Sequence, residues 1–99
     1  MIKQMQVKEK TASCKNVERW TIYILRCNDG TLYTGITKDI ERRVKQHNDG
    51  KGSKYTQTRL PVTVVYSETK MGRANALVRE AEIKHYSKEK KEQLVSTFH

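Results

Sequence analysis

The sequence predicts a small α+β domain, in which a three-stranded antiparallel sheet is flanked by helices in the order β-β-α-β-α-α. Two observations predict this class. Residues 20–27 and 31–36 are rich in aromatic and β-branched residues and are joined by an Asp-Gly turn, which is the pattern of a β-hairpin. A helical pattern follows, and a valine-rich strand and two further helical patterns complete the chain.

The hairpin brings two tyrosines close together. Asp29-Gly30 supplies the positive φ that tight hairpin turns require. A hairpin centred on Asp29 pairs positions whose numbers sum to about 58. We therefore expect Tyr23 and Tyr33 to be near cross-strand neighbours. Aromatic pairs of this kind are ordinary stabilisers of a sheet, so the pair alone does not indicate a function.

The elements after the hairpin can be placed from their end signals. The first helix is expected to begin after an N-cap at Thr37 and to end near Gly50. Residues 50–59 are then expected to form a loop, because they show no apolar period. Three further elements follow: a valine-rich strand over residues 62–66 and helices over residues 73–86 and 88–96.

Four residues of the first helix share one face when the chain is stepped at about 100° per residue. They are Ile40, Arg43, Val44 and His47. Ile40 and Val44 are expected to pack on the sheet, because the helix has no other apolar anchor. This places Arg43 and His47 at the edge of the buried face. The helix alone leaves two readings open: a functional pair, or an arginine that extends to water beside an ordinary boundary histidine.

The next long helix has a carboxylate inside an apolar arc. The arc is formed by Ala76, Leu77, Ala81 and Ile83. Glu80 falls within this arc, whereas Glu82 lies off it and should be solvated. An inward carboxylate costs free energy unless it is paired or binds a metal. The candidate ion-pair partners are Arg43, Arg73 and Lys84.

The charge of the chain favours a polyanionic partner. The net charge is +9, from 20 Lys and Arg against 11 Asp and Glu. Nucleic acid is the first candidate and an anionic membrane surface the second, while a basic protein without such a partner stays possible on charge alone. Residues 1–18 are expected to be a mobile basic tail, and residues 19–99 the folded domain. No membrane span or export signal is recognisable, so the cytoplasm is the expected compartment.

Five side chains of complementary chemistry are expected at one end of the sheet. They are two phenols, a guanidinium, an imidazole and a carboxylate: Tyr23, Tyr33, Arg43, His47 and Glu80. The set suits phosphodiester hydrolysis. A carboxylate can hold one Mg²⁺ (or Mn²⁺), which polarises the phosphate, and an arginine neutralises the developing charge. A tyrosine near the metal or the arginine is expected to have a lowered phenol pKa and to take a proton from water.

The order of the motifs resembles the GIY-YIG nuclease superfamily, most closely its small stand-alone bacterial members. TIY ends at Tyr23 and YTG begins at Tyr33, on the two strands of the hairpin. Arg43 and His47 follow on the next helix, the loop contains GKGSKYT, and a later helix contains REAEIK. The resemblance covers about residues 20–90. The first motif has threonine in place of glycine, and the second has threonine in place of isoleucine.

The resemblance implies a three-stranded sheet with one divalent-metal site on its surface, and roles for six residues. By this resemblance Tyr23 and Tyr33 are the two motif tyrosines, and we favour Tyr23 as the base. Gly35 ends the second motif. Arg43 would bind the phosphate, His47 would be its partner on the helix, and Glu80 would be the carboxylate that holds the metal. The implied activity is metal-dependent hydrolysis of DNA, in the setting of DNA repair. Some family members use a late asparagine near the site, and the tail LVSTFH has none.

The chain has no room for the separate DNA-targeting domain that larger members of this family carry. Low sequence specificity is therefore expected, with single-stranded or branched DNA as substrate, or with a partner protein that supplies targeting. The protein is expected to be a monomer. The alternative function is a non-catalytic nucleic-acid-binding module or an accessory subunit on the same fold.

The loop after the first helix is a predicted nucleic-acid contact. Lys51, Lys54 and Arg59 interleave with Tyr55, and this composition suits phosphate contacts together with base stacking. The flexibility expected of such a loop suits single-stranded or branched DNA. The alternative is a solvated basic loop.

Overall fold

The computed structural model describes residues 18–98, which form one three-stranded antiparallel sheet and four helices. The strands are β1 Arg19–Arg26, β2 Leu32–Thr37 and β3 Thr63–Met71. The helices are α1 Ile40–Asn48, α2 Lys54–Gln57, α3 Arg73–Lys84 and α4 Lys88–Ser96. The order along the chain is β-β-α-α-β-α-α. It confirms the predicted α+β class and adds one short helix.

Strand β1 lies at the centre of the sheet, in the order β2-β1-β3. Its pairing with β2 has the predicted register, with Tyr23 opposite Gly35 and Leu25 opposite Tyr33. The rings of Tyr23 and Tyr33 are diagonal neighbours, with centroids 6.4 Å apart. The expectation that the two tyrosines are near neighbours is therefore confirmed.

The two faces of β1 are covered by different helices, because successive side chains of a strand point to opposite faces. On one face the buried residues are Ile22 and Ile24 of β1 with Ala76 and Ile83 of α3, and residues of α4 pack against them. On the other face they are Tyr23, Leu25, Cys27 and Val62, packed against Ile40 and Val44 of α1. Helix α1 thus packs on the sheet through Ile40 and Val44, as predicted. Tyr23 belongs to the core between this helix and the sheet.

Helix α1 begins two residues later than predicted. Its N-cap is Asp39, whose side chain accepts from the N–H of Arg42 at 3.1 Å. The predicted cap, Thr37, instead uses its hydroxyl to accept from the N–H of Asp39 at 3.1 Å. Both residue types are good helix caps, so sequence alone could not rank them.

The predicted loop over residues 50–59 contains helix α2, which the sequence analysis did not predict. Ser53 is its N-cap and accepts from the N–H of Thr56 at 3.1 Å. A helix of four residues makes barely one turn, which is too short to show an apolar period. The expectation of a loop without helical structure is therefore wrong for this segment.

Several other predicted limits differ from the structure. Strand β3 continues to Met71, well beyond residue 66, and α3 ends at Lys84. Leu77 and Ala81 are exposed, so neither belongs to the buried arc of α3, in which Ala76 and Ile83 are buried. The predicted basic tail lies outside the described residues except for Glu18, whose carbonyl oxygen accepts from the N–H of Gly72 at 2.7 Å. Within residues 18–98, no helix has the length and apolar character that crossing a membrane requires.

Candidate active site

Tyr23 and His47 form a buried hydrogen-bonded pair between β1 and α1. The Tyr23 hydroxyl oxygen lies 3.1 Å from Nε2 of His47, and both side chains are almost completely buried. The Tyr23 ring crosses directly over Gly35 of β2. A Cβ atom on Gly35 would lie 2.5 Å from the Tyr23 hydroxyl oxygen, so a larger residue would displace the ring. The motif glycine is required here by this close approach.

The second ring nitrogen of His47 determines its tautomer. Nδ1 lies 2.9 Å from Oγ1 of Thr56, which is itself buried. The Thr56 hydroxyl donates to the carbonyl oxygen of Ser53 at 3.2 Å, so its oxygen is left to accept from Nδ1–H. We therefore assign the proton of the neutral ring to Nδ1, which leaves Nε2 to accept from the Tyr23 hydroxyl.

Two residues that the sequence analysis missed hold His47 in place. Thr56 of α2 is the hydrogen-bond partner just described. Gly52 lies against the imidazole, and a Cβ atom at this position would overlap the ring of His47. Both lie within the GKGSKYT segment, which the sequence analysis associated with nucleic-acid contact. The chain after α1 therefore folds back to enclose the imidazole.

Arg43 contacts the same pair and makes hydrogen bonds only to neutral acceptors. Its Nε donates to the Tyr23 hydroxyl oxygen at 3.5 Å, Nη1 to Oε1 of Gln46 at 3.0 Å and Nη2 to the carbonyl oxygen of Gly52 at 3.3 Å. No carboxylate among residues 18–98 forms a salt bridge with it. A guanidinium has five N–H donors, so two remain for a ligand.

Burial controls the pKa values of the pair. Burial raises the pKa of the Tyr23 phenol, although the hydrogen bond from Arg43 opposes this shift. The expected lowering of a phenol pKa is therefore wrong for Tyr23 in this structure, because desolvation of the phenolate outweighs the nearby cation. Burial, and then the charge of Arg43, lower the pKa of His47, which keeps the imidazole neutral at pH 7.

Tyr33 continues the site towards the surface. Its ring centroid lies 5.2 Å from that of His47 on one side and 6.0 Å from that of Tyr55 on the other. The guanidinium of Arg59 lies 3.9 Å from the centroid of the Tyr55 ring. Tyr33 is stacked on Tyr55 and meets His47 edge-on, so these contacts connect α2 to the hairpin.

The predicted nucleic-acid-binding residues divide into two kinds. Lys51 and Lys54 are exposed, and Tyr55 is 38% exposed. Arg59 instead holds α2 against the hairpin turn: its Nε donates to Oδ2 of Asp29 at 3.0 Å and its Nη1 to the carbonyl oxygen of Tyr55 at 2.6 Å. The cations of this segment that extend to solvent are therefore the two lysines.

Glu80 occupies the inward position predicted for it. Its side chain is 16% exposed, whereas that of Glu82 is 55% exposed. Of the three candidate partners, Lys84 forms the ion pair, with Nζ 3.3 Å from Oε2 of Glu80. The negative charge of Glu80 is the smallest of the causes that raise the pKa of Tyr23, after burial and the charge of Tyr33. Among the described residues its one ion pair is with Lys84, and no hydrogen bond joins it to the other four predicted site residues.

The chemistry of the residues present fits one hydrated hard cation. Among residues 18–98 there is no cluster of three or more His, Cys, Asp or Glu side chains of the kind that encloses a metal. Zinc sites use three or four such ligands, whereas Mg²⁺ keeps several waters and needs only one or two carboxylates. A single inward carboxylate such as Glu80 is therefore compatible with Mg²⁺ or Mn²⁺ and unsuited to zinc.

Comparison with known proteins identifies one family. The family model described as the GIY-YIG catalytic domain matches residues 19–93. A UPF0213 protein of Staphylococcus epidermidis is 48% identical over 79 residues, which cover 80% of this chain and 96% of that protein. A UPF0213 protein of Haloquadratum walsbyi is 55% identical over 73 residues, which cover 74% of this chain and 82% of that protein.

Two solved structures are also similar. The solution NMR structure of the UPF0213 protein BH0048 from Bacillus halodurans has 47% identity and a TM-score of 0.53, and covers 80% of this chain and 84% of that one. The solution NMR structure of the protein EF2693 from E. faecalis has 38% identity and a TM-score of 0.57, and covers 83% and 88%. The match of the catalytic-domain model and the identity to these relatives show that this chain belongs to the GIY-YIG family.

Proposed function

We propose that this protein is a metal-dependent nuclease that hydrolyses phosphodiester bonds of DNA. One observation carries the proposal: the hydroxyl of Tyr23 lies between a neutral proton acceptor, Nε2 of His47, and an uncancelled cation, Arg43. A phenol held in this way can exchange protons with a bound water and with the imidazole. Membership of a family described by its catalytic domain supports the same reading.

Tyr23 would act as the base together with His47. The Tyr23 oxygen takes a proton from the attacking water while its own proton moves to Nε2 of His47, and the resulting hydroxide attacks phosphorus. The bond between phosphorus and the leaving oxygen breaks as the new bond forms, and the leaving oxygen takes a proton from solvent water. The phenol therefore never has to become a free phenolate, which its raised pKa would disfavour. Thr56 keeps the imidazole in the tautomer that can accept this proton.

Arg43 would bind the scissile phosphate. Its two unused N–H donors can pair with phosphate oxygens, and its charge is not neutralised by a carboxylate among the described residues. Charge builds up on these oxygens as the hydroxide adds, so the interaction strengthens in the transition state. The 3.5 Å contact between Arg43 and Tyr23 is long, and it leaves the Tyr23 oxygen able to accept from water.

Glu80 would hold the metal ion. A bound Mg²⁺ would supply polarisation of the phosphate and stabilisation of the leaving oxygen. Lys84, whose side chain is 53% exposed, can move away from Glu80 at little cost, because partly exposed ion pairs are weak.

The proposed substrate is single-stranded or branched DNA, cut with low sequence specificity. The surface beside the site consists of short segments that carry tyrosines and lysines, Tyr33, Lys51, Lys54 and Tyr55. Aromatic and basic side chains of this kind suit unpaired bases and phosphates, whereas sequence reading in the major groove uses an exposed recognition helix.

Cleavage of labelled single-stranded, duplex and branched DNA, each with Mg²⁺, Mn²⁺ or EDTA, tests the proposal. We expect metal-dependent cutting by the wild type, none by Glu80→Ala, and near wild-type cutting by the matched control Glu82→Ala on the same helix. Salt-sensitive binding without cutting of any DNA form would instead identify a non-catalytic binding module. Unchanged cutting by Glu80→Ala would show that the metal carboxylate is wrongly assigned.

A further inference from the structure

A second basic surface adjoins the candidate active site along the edge strand β2, and it adds residues of α4 to those assigned above. One groove of about 260 Å³ is lined by Leu32, Tyr33, Thr34, Tyr55, Lys84 and Lys91. A neighbouring groove of about 180 Å³ is lined by Thr31, Leu32, Lys88 and Lys91. Leu32 and Lys91 border both grooves, so the two are adjacent, and we call them together the β2-edge channel.

The β2-edge channel is positively charged. Among the residues that the structure describes, neither Lys88 nor Lys91 has a carboxylate oxygen within 4.0 Å. Two acidic residues adjoin these lysines in sequence. Glu92 is held by Arg26 through two hydrogen bonds of 2.6 and 2.8 Å, and Glu89 forms no ion pair with a described residue. Arg26 is thus the ion-pair partner of Glu92, and the more distant charge of Lys88 adds to the lowering of the Glu92 pKa after that hydrogen bond. Neither lysine forms an ion pair among the described residues, so both can contact a ligand.

The channel also opens directly onto the candidate active site. Tyr33 is the shared residue: one side of its ring faces His47, and the side chain also lines the first groove. Lys84, the ion-pair partner of Glu80, lines the same groove. A chain of phosphates that crosses the site could therefore continue along α4 past the two unpaired lysines.

We propose that the β2-edge channel binds the phosphodiester backbone of the nucleic-acid strand on one side of the scissile bond, with Lys88 and Lys91 as its phosphate contacts. The proposal rests on the proposed function, because that function defines the scissile bond from which the strand continues into the channel. It adds a binding surface on α4 that the motifs of the chain did not indicate. The spacing of the two lysines, three residues apart, places them on the same side of the helix.

Phosphate contacts by lysine have a measurable signature, because each one releases counterions. For single strands the slope of log K against log salt changes by about 0.7 for each contact. Loss of both lysines should therefore make the slope of log K against log salt less steep by about 1.4, and should weaken binding by roughly tenfold or more at moderate salt.

The test compares two double variants of equal charge in the full chain. Lys88→Ala with Lys91→Ala removes the channel cations. Lys70→Ala with Lys90→Ala is the control: Lys70 lies in a groove beside Arg79, and Lys90 lies over the Tyr86 ring, 4.2 Å from its centroid. Binding of a fluorescein-labelled single strand of DNA of about twelve nucleotides is titrated in EDTA at several salt concentrations, with urea unfolding as a check on folding.

We expect the double variant of Lys88 and Lys91 to show this less steep slope and weaker binding. The control variant of Lys70 and Lys90 should match the wild type in both. An equal loss in the two variants, an unchanged slope in the channel variant, or no binding by the wild type would overturn the proposal. Because the titration is made in EDTA, it does not depend on hydrolysis. Failure of the protein to cut DNA would therefore contradict the proposed function and leave this result standing.

Discussion

Two half-buried arginines, Arg43 and Arg79, lie on opposite faces of the sheet and have opposite kinds of partner. Arg79 donates to Glu68 at 2.8 and 3.2 Å and to Glu82 at 2.9 Å. Burial alone would raise the pKa of Glu68, but hydrogen bonds from Arg79 and Tyr66 hold it below its usual range. The charge of Arg79 is thus cancelled inside the protein.

Among the described residues, Arg43 makes three hydrogen bonds, all of them with neutral oxygens of Tyr23, Gln46 and Gly52. Both arginines are half-buried and hydrogen-bonded, so these two properties do not distinguish them. The charge of their partners does. A cation cancelled by carboxylates stabilises the fold, whereas an uncancelled cation beside a phenol and an imidazole is available to a phosphate.

The largest difference between the two arginines is expected in the rate of cleavage. Arg43→Ala should lower the single-turnover rate by roughly two orders of magnitude or more, because a contact that strengthens in the transition state is lost. Arg79→Ala should leave the rate per folded molecule close to that of the wild type. The measurement is cleavage of a labelled strand at saturating protein with Mg²⁺. Equal losses of rate in the two variants would show that Arg43 has no special role in cleavage.

Stability should show the reverse order. Arg79→Ala leaves Glu68, whose side chain is 19% exposed, without its cation, and we expect a loss of about 1–3 kcal/mol in the free energy of unfolding. Arg43→Ala should cost less, because it leaves only neutral acceptors. Urea unfolding of both variants at pH 7 measures the difference. A larger loss for Arg43→Ala than for Arg79→Ala would show that Arg43, and not Arg79, is the arginine that stabilises the fold.

The pH dependence of stability should distinguish the two faces as well. Burial lowers the pKa of His47, so its contribution is fully present above the unfolded pKa of about 6.5 and is lost as the pH falls. Between the unfolded and folded pKa values the loss can reach about 1.4 kcal/mol per pH unit. The lowered pKa of Glu68 acts at more acidic pH, below about 4.5.

Urea unfolding between pH 5 and pH 7.5 therefore isolates the histidine. The wild type should lose stability across this range, and His47→Gln should lose much less. His85, which is exposed at the end of α3, provides the control: His85→Gln should follow the wild type. A wild-type curve that stays flat down to pH 5 would contradict the burial of a neutral imidazole at this position.

The fold was largely predictable because its main signals are local. The Asp-Gly turn and the β-branched runs predicted both strands of the hairpin and the register that places Tyr23 opposite Gly35. The second half of β3 was missed, because Thr69 to Met71 are exposed at the end of an edge strand and need no apolar pattern. Helix α2 was missed because a helix of one turn is too short to show a repeating apolar pattern.

The site was predictable only in part. The positions of Arg43 and His47 on the apolar stripe of α1, and of Glu80 within the buried side of α3, followed from helical periodicity. The partners Gly52 and Thr56 did not, because they meet His47 only after the chain closes back over α1. The direction of the pKa shift of the Tyr23 phenol also required the structure, since burial and the charge of a neighbour act in opposite directions.

We propose that the buried phenol of Tyr23, beside Arg43, takes part in the chemistry, whereas the phenol of Tyr66, beside Glu68, does not. The most direct measurement is the single-turnover cleavage rate of Tyr23→Phe against Tyr66→Phe, whose hydroxyl donates to Glu68 on the other face. We predict a loss of roughly two orders of magnitude or more for Tyr23→Phe and a near wild-type rate for Tyr66→Phe. A Tyr23→Phe variant that is folded and cuts at the wild-type rate would contradict the account.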